Sequence, residues 1–243
     1  MSNAVVAALC GLIGLLAVGV PALIRALPEP PPEELPEDPA EDTRLEAMLR
    51  AEGPKETYAH VAALPHLALW ATSVAVVVNA AMGARLGAHP ITWVLAFLVP
   101  VLVALAVVDW RTRLLPRVVV LPVTGVLIAL ALVEWLVHRD GHVLVRALLA
   151  MLVARSFFWI LWFIRSAGMG FGDVRLAALL GLPLGRLGWS AWVVGLYGGL
   201  LLFGIFGLTL TVVRRDRSTL KQAFPFGPFM IAGALVGVLW SSY

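Results

Sequence analysis

The chain has 243 residues, 60% of them hydrophobic and only 14% charged, with a mean hydropathy of +0.92. Soluble domains carry about 45–50% apolar and about 25% charged residues, so this composition excludes a soluble globular protein and requires lipid around much of the surface. The single cysteine, Cys10, excludes an intrachain disulfide and a tetracysteine zinc module.

Charge is unevenly spread. Between Glu29 and Glu56 there are ten acids against three bases, a net −7, while the remainder carries 15 basic and five acidic residues. The sequence pI of about 9.5 is therefore not that of a nucleic-acid binder, and no nucleic-acid partner is expected. The positive charge lies in short loops between apolar runs, as in membrane anchoring.

In chain order, the first apolar run is Ala4 to Leu27. A secretory signal places Lys or Arg before its apolar run. Met1-Ser2-Asn3 has none, so residues 1–27 are expected to form a retained first span with its N-terminus outside. Residues 28–60 form an acidic, Pro-rich loop on the cytoplasmic side, with Pro at 28, 30, 31, 32, 36 and 39. That composition favours extended, solvated chain. Within it, Asp42–Ala51 is expected to form a short surface helix, because Leu45, Met48 and Leu49 share a face.

Residues 61–90 carry a second span, Val61–Met82, and an outer loop. The remaining unit, 91–243, holds Ile91–Val108, Val118–Val137, Val143–Ile164, a short run Val174–Leu184, then Trp189–Val213 and Phe226–Trp240. The longer runs suffice to cross about 30 Å of hydrocarbon at 1.5 Å per residue; the short one covers only about 17 Å. The fold class is thus all-α: a polytopic membrane helix bundle of about eight transmembrane helices, the sixth short.

Placing the loop after the first span inside puts thirteen Lys and Arg inside and four outside (Arg85, Arg139, Arg146 and Arg186), a clear positive-inside bias. Every Trp but Trp70 falls near a predicted span end.

Five acids remain outside the acidic loop. Asp140 and Asp216 read as loop charges, and Glu134 is expected to pair with Arg146 across the outer turn. Asp109 ends one apolar run and Asp173 begins another, with two crossings between them, so both face the same membrane surface. Charge at membrane depth is costly and is usually paired or functional. Two close carboxylates do not both ionise readily, so one holds a proton. Such a pair hydrolyses an amide: one member takes a proton from water and the other protonates the leaving nitrogen.

Gly168, Gly170 and Gly172 precede Asp173 at every second position, which permits tight turns and close approach of an extended substrate. Asp173 at a helix N-terminus and Asp109 at a helix C-terminus suggest base and acid respectively. The same residues fit plainer roles, Asp173 as a helix N-cap and Asp109 as an interface residue beside Trp110 and Arg111.

Three patches resemble the type IV prepilin peptidases, membrane aspartic proteases of the GxGD type. They are Asp109-Trp110-Arg111-Thr112-Arg113-Leu114-Leu115-Pro116, Gly168-Met169-Gly170-Phe171-Gly172-Asp173-Val174-Arg175-Leu176, and Phe224-Pro225-Phe226-Gly227-Pro228-Phe229. The resemblance covers roughly Ile91 to Trp240. It implies Asp109 and Asp173 as the catalytic pair, with Gly168, Gly170, Gly172, Pro116, Pro225 and Gly227 shaping the site.

It also implies cleavage of the basic leader from prepilins or pseudopilins at the cytoplasmic face of the inner membrane. The partner would carry its own hydrophobic N-terminal helix and lie beside the enzyme in membrane lipid. Many members carry a tetracysteine zinc element in the first cytoplasmic loop and also N-methylate the trimmed pilin. Here that loop has no Cys, so no metal and no cofactor are expected, and N-methylation stays open. Arg117 stands where the family often has Asn or Asp, and Arg175 where it has Lys.

A presenilin-like protease would share the GxGD, but its Tyr-Asp signature is absent. A transporter or assembly protein would not need the acid pair, and no repeated halves are evident. The five His show no HExxH spacing. Gly195 and Gly199 form a small-xxx-small pair suited to helix packing, and Arg155 is a charge within a span.

Overall fold

A computed structural model describes residues 1–29, 56–164, 170–214 and 224–241. The predicted helix at Asp42–Ala51 and Gly168 lie outside the described residues. Among those described the chain is all helical: α1 (Asn3–Gly14), a 3-10 turn (Leu15–Gly19), α2 (Val20–Arg25), α3 (Tyr58–Ala62), α4 (Leu67–Leu86), α5 (Pro90–Thr112), α6 (Arg117–His138), α7 (Gly141–Ile164), α8 (Phe171–Leu187), α9 (Trp189–Arg214) and α10 (Gly227–Trp240). Six segments are long and apolar enough to cross a membrane, counting Asn3–Arg25 as one, and α10 is a shorter apolar helix. With α8, these are the eight helices expected from the apolar runs.

Two boundaries move for local reasons. The second span begins at Leu67 rather than Val61, because Pro65 interrupts the helix and His66 takes a left-handed conformation at φ 60. Trp70 consequently sits in the first turn of α4 and joins the other Trp residues near a span end. The short sixth run extends to 17 residues, Phe171–Leu187, about 25 Å at 1.5 Å per residue. Every residue from Leu176 to Leu187 is buried, so α8 is enclosed by protein and its length need not match the lipid.

Helices pair closely where side chains are small. The tightest pairs are α9 with α10, α7 with α8, and α1 with α4. At the first, Gly195 and Gly199 face Ala234 and Met230, and a Cβ on Gly233 would run into the backbone of Gly199. The pair singled out in the sequence is thus a packing seam. At the second, Ala147, Ala150 and Ala154 lie buried against α8, and the indole of Trp192 donates to Ala150 O at 3.0 Å. Arg155, next to that stripe, is exposed.

The outer ion pair differs from expectation. Glu134 pairs with Arg186, not with Arg146. Arg146 instead donates to Gly185 O and Arg186 O, both at 2.8 Å, two of the carbonyls that the end of α8 leaves without helical partners. Arg186 is not a loop charge: it is buried in the last turn of α8. The hairpin places Glu134 and Arg146 at similar depth, but both side chains turn to the enclosed helix between them.

Two stability predictions follow from this packing. Gly233→Val should destabilise the α9–α10 seam by about 1–3 kcal/mol or more, read as a lower unfolding midpoint in detergent. Glu134→Ala leaves Arg186 buried without its carboxylate and should cost about 3–5 kcal/mol, whereas Glu134→Leu combined with Arg186→Leu should recover most of that loss.

Candidate active site

Asp109 occupies the last turn of α5 and is buried despite its charge. The chain then stops: Arg113 adopts a left-handed conformation at φ 55, and its N–H donates to Asp109 O at 2.8 Å, a helix-closing arrangement usually reserved for Gly or Asn. The Thr112 hydroxyl donates to Val108 O at 2.8 Å. Residues 114–116 lead into α6, with Pro116 buried at its N-cap position.

Asp173 lies in the first turn of α8 and is also buried. The N-cap is Gly170, not Asp173. Asp173 stands three residues further on, and its backbone N–H donates to Gly170 O at 3.1 Å, which closes the glycine turn onto the helix. Asp173 is therefore not the N-cap residue but the third residue of the first turn.

The third patch meets Asp109 directly. Gly227, the first residue of α10, donates its N–H to Asp109 Oδ2 at 2.9 Å. A Cβ on Gly227 would stand 2.7 Å from that oxygen and 3.1 Å from Cγ, so only glycine lets the backbone approach. Pro225 and Phe226 are buried. Phe226 packs edge-to-face on Phe203 at 5.2 Å between centroids and lies 5.5 Å from Phe158, which fixes the entry to α10. Gly172 serves the other acid in a similar way: a Cβ there would meet Leu115 Cβ at 2.8 Å, so the segment after Asp109 packs on the turn before Asp173.

The structure thus gathers Asp109, Asp173, Pro116, Gly170, Gly172, Pro225 and Gly227 at one end of the bundle. The two carboxylates stand at that same end, Asp109 on the last turn of α5 and Asp173 on the first turn of α8, both buried. Asp109 has a backbone N–H donor supplied by glycine. Asp173 sits at the positive end of a helix dipole and Asp109 at a negative one, as expected. The surroundings are basic and aromatic: Arg175 lies over the Phe171 ring at 4.9 Å, and Arg111 forms a bidentate pair with Glu56 at 2.6 and 2.9 Å. Among the described residues no three His, Cys, Asp or Glu side chains group as metal ligands. The lone Cys10 is buried in α1, so the residues present do not fit a tetracysteine zinc element.

Sequence reasoning missed two contacts, the Gly172–Leu115 approach and the Glu56–Arg111 pair. The first has no signal beyond the glycine itself. The second joins residues 55 positions apart with no shared pattern.

Comparison with known proteins covers the first two of the three patches. The model of the type IV leader peptidase family matches residues 96–213. A prepilin leader peptidase/N-methyltransferase of Aeromonas hydrophila is 31% identical over 170 residues, 69% of this chain and 54% of the relative. Proteins of the same name from Aeromonas salmonicida (strain A449) and Pseudomonas putida are 31% identical over 156 residues and 32% identical over 155. These cover 64% and 62% of this chain, and 49% and 48% of the relatives. The chain spans about half the length of the curated relatives it matches. No solved structure matches significantly.

The Asp109–Gly227 contact yields a prediction independent of activity. Gly227→Ala should destabilise the protein by about 1–3 kcal/mol. Asp109→Ala in the same chain, which removes the atoms the new methyl meets, should restore part of that loss in a double-mutant cycle. The resemblance read from Asp109–Pro116 and Gly168–Leu176 is thus matched by an independent one: this multi-pass helical chain is similar, over residues 96–213, to the type IV leader peptidase family.

Proposed function

We propose that the protein is a membrane aspartic endopeptidase that removes the basic leader from type IV prepilins or pseudopilins, with Asp109 and Asp173 as its catalytic pair. One observation carries the reading. Two buried carboxylates, on helices that the sequence separates by two crossings, stand at the same end of a bundle whose sequence matches leader peptidases.

Hydrolysis then follows from the pair. In this reading the two acids share one proton, which belongs to the pair rather than to either residue. The ionised member takes a proton from water, and the hydroxide adds to the scissile carbonyl carbon. The protonated member then gives its proton to the leaving nitrogen as the C–N bond breaks. The helix dipoles bias the first role towards Asp173. The exposed Gly170 leaves room for an extended peptide to approach, while the space at Gly172 is taken by Leu115.

Several features support a cytoplasmic site in a bacterial-type inner membrane. Arg111, Arg113, Arg117 and Arg175 stand at the acid-bearing end, while Arg85, Arg139, Arg146 and Arg186 mark the other. The basic loops, counted over the sequence, favour the acid-bearing end, as the positive-inside rule requires.

The test is processing of a co-expressed prepilin. Asp109→Asn and Asp173→Asn should each lower leader removal by about 10²–10⁴-fold, with helix content and detergent-extracted yield unchanged. Leader removal that persists in either variant would refute the proposal.

A further inference from the structure

An apolar trough of about 530 Å³ opens on the side of the bundle between α4 and α10, with α5 and α8 as its floor. Its lining on α5 forms two rows at i, i+4 spacing, one from Leu95 to Arg111 and the other from Leu98 to Trp110. The α4 wall repeats that spacing at Trp70, Val74, Val78 and Met82. The α5 rows extend over 16 residues, about 24 Å along the helix, most of the hydrocarbon thickness.

The two ends differ. At the far end Arg85 bridges α4 to α10, donating to Leu239 O at 3.0 Å and Ser241 O at 2.6 Å. At the near end the trough is bounded by Trp110, Arg111 and Pro228, the residues next in sequence to Asp109 and Gly227. Trp70, Val74 and Trp110 are exposed, so the trough opens sideways to lipid.

We infer that this trough is the berth of the substrate's transmembrane helix, which enters from the lipid and presents its N-terminal end to the acid pair. This rests on the leader peptidase reading and names where the partner binds. Parallel i±4 rows leave a groove that receives the matching row of another helix, whereas an acyl chain presents no such row. The Arg85 bridge bounds the bundle beyond the far end, and the near end stops at Trp110 and Pro228, one residue from Asp109 and Gly227. A helix lying in it therefore has one register in depth, with the bond before its first turn at Asp109. Its apolar flank would complete a surface that the bundle leaves unpaired.

The experiment places a photo-crosslinking amino acid at Val74 or Ala232, in the trough, and at Val126, exposed on α6, in the full chain carrying Asp173→Asn with a co-expressed prepilin. Adducts with the prepilin helix at 74 and 232, and none at 126, are expected. Adducts with lipid alone, with a second copy of this chain, or with prepilin equally at 126 would overturn the assignment.

Val78→Trp and Leu235→Trp, which fill the middle of the trough more than two turns from Asp109 and Gly227, supply a second measurement. KM for the membrane-anchored precursor should rise at least tenfold with kcat little changed. An unchanged KM would also overturn it. The leader peptidase reading is judged separately, by whether Asp109→Asn abolishes cleavage in the chain with an unaltered trough.

Discussion

A carboxylate buried at the edge of a membrane bundle needs a donor, and Asp109 finds one in a backbone N–H that only glycine brings close enough. Gly227 reaches Asp109, and Gly172 lets Leu115, just after the end of α5, pack on the turn that carries Asp173. An unpaired buried acid would cost several kcal/mol in desolvation. These contacts therefore constrain where the last turn of α5, the first turn of α8 and the start of α10 can lie. The convergence of three helix ends, contributed by segments far apart in sequence, is the structural counterpart of a buried acid that needs a backbone partner and of glycines that let the segments touch.

The membrane class, the eight helices and the shared end for the two acids were legible in the sequence. Apolar runs bounded by charge give span number directly, and span parity then gives sidedness. The placement of Gly227 was legible only as a motif: Phe224–Phe229 is an ordinary turn into a helix unless its resemblance is recognised, and composition says nothing about which side chain its N–H meets. The start of α4 was misplaced because hydropathy does not register Pro65, although the rule that proline breaks a helix was available.

Charge pairing was the least legible feature. Glu134 and Arg146 flank one turn and sit at matching depth, which makes them the natural pair in a two-helix picture. The bundle has a third helix between them. Arg186 on α8 takes Glu134, and Arg146 is drawn to the free carbonyls at the end of α8. Both choices satisfy groups that would otherwise be buried without partners. Sequence proximity ranks candidates by distance along the chain, whereas burial ranks them by what is left unsatisfied, and in an apolar bundle burial prevails.

The same reasoning explains why the enclosed helix α8 carries an acid in its first turn. A helix facing lipid must run the full apolar thickness, so an acid in its first turn is pushed to the headgroups. Because α8 is enclosed on all sides, its ends need not reach the interface. Asp173 can sit at a depth set by protein contacts, chiefly Gly170 and the Leu115 segment. Exposed α6 and α7 meet the lipid, and they also shield α8. A peptide bond that joins a water-soluble leader to an apolar helix lies at the same boundary between solvents. Under the proposed function, a pair of acids mounted on an enclosed helix and the buried end of a longer one would act there without exposing either side chain to hydrocarbon.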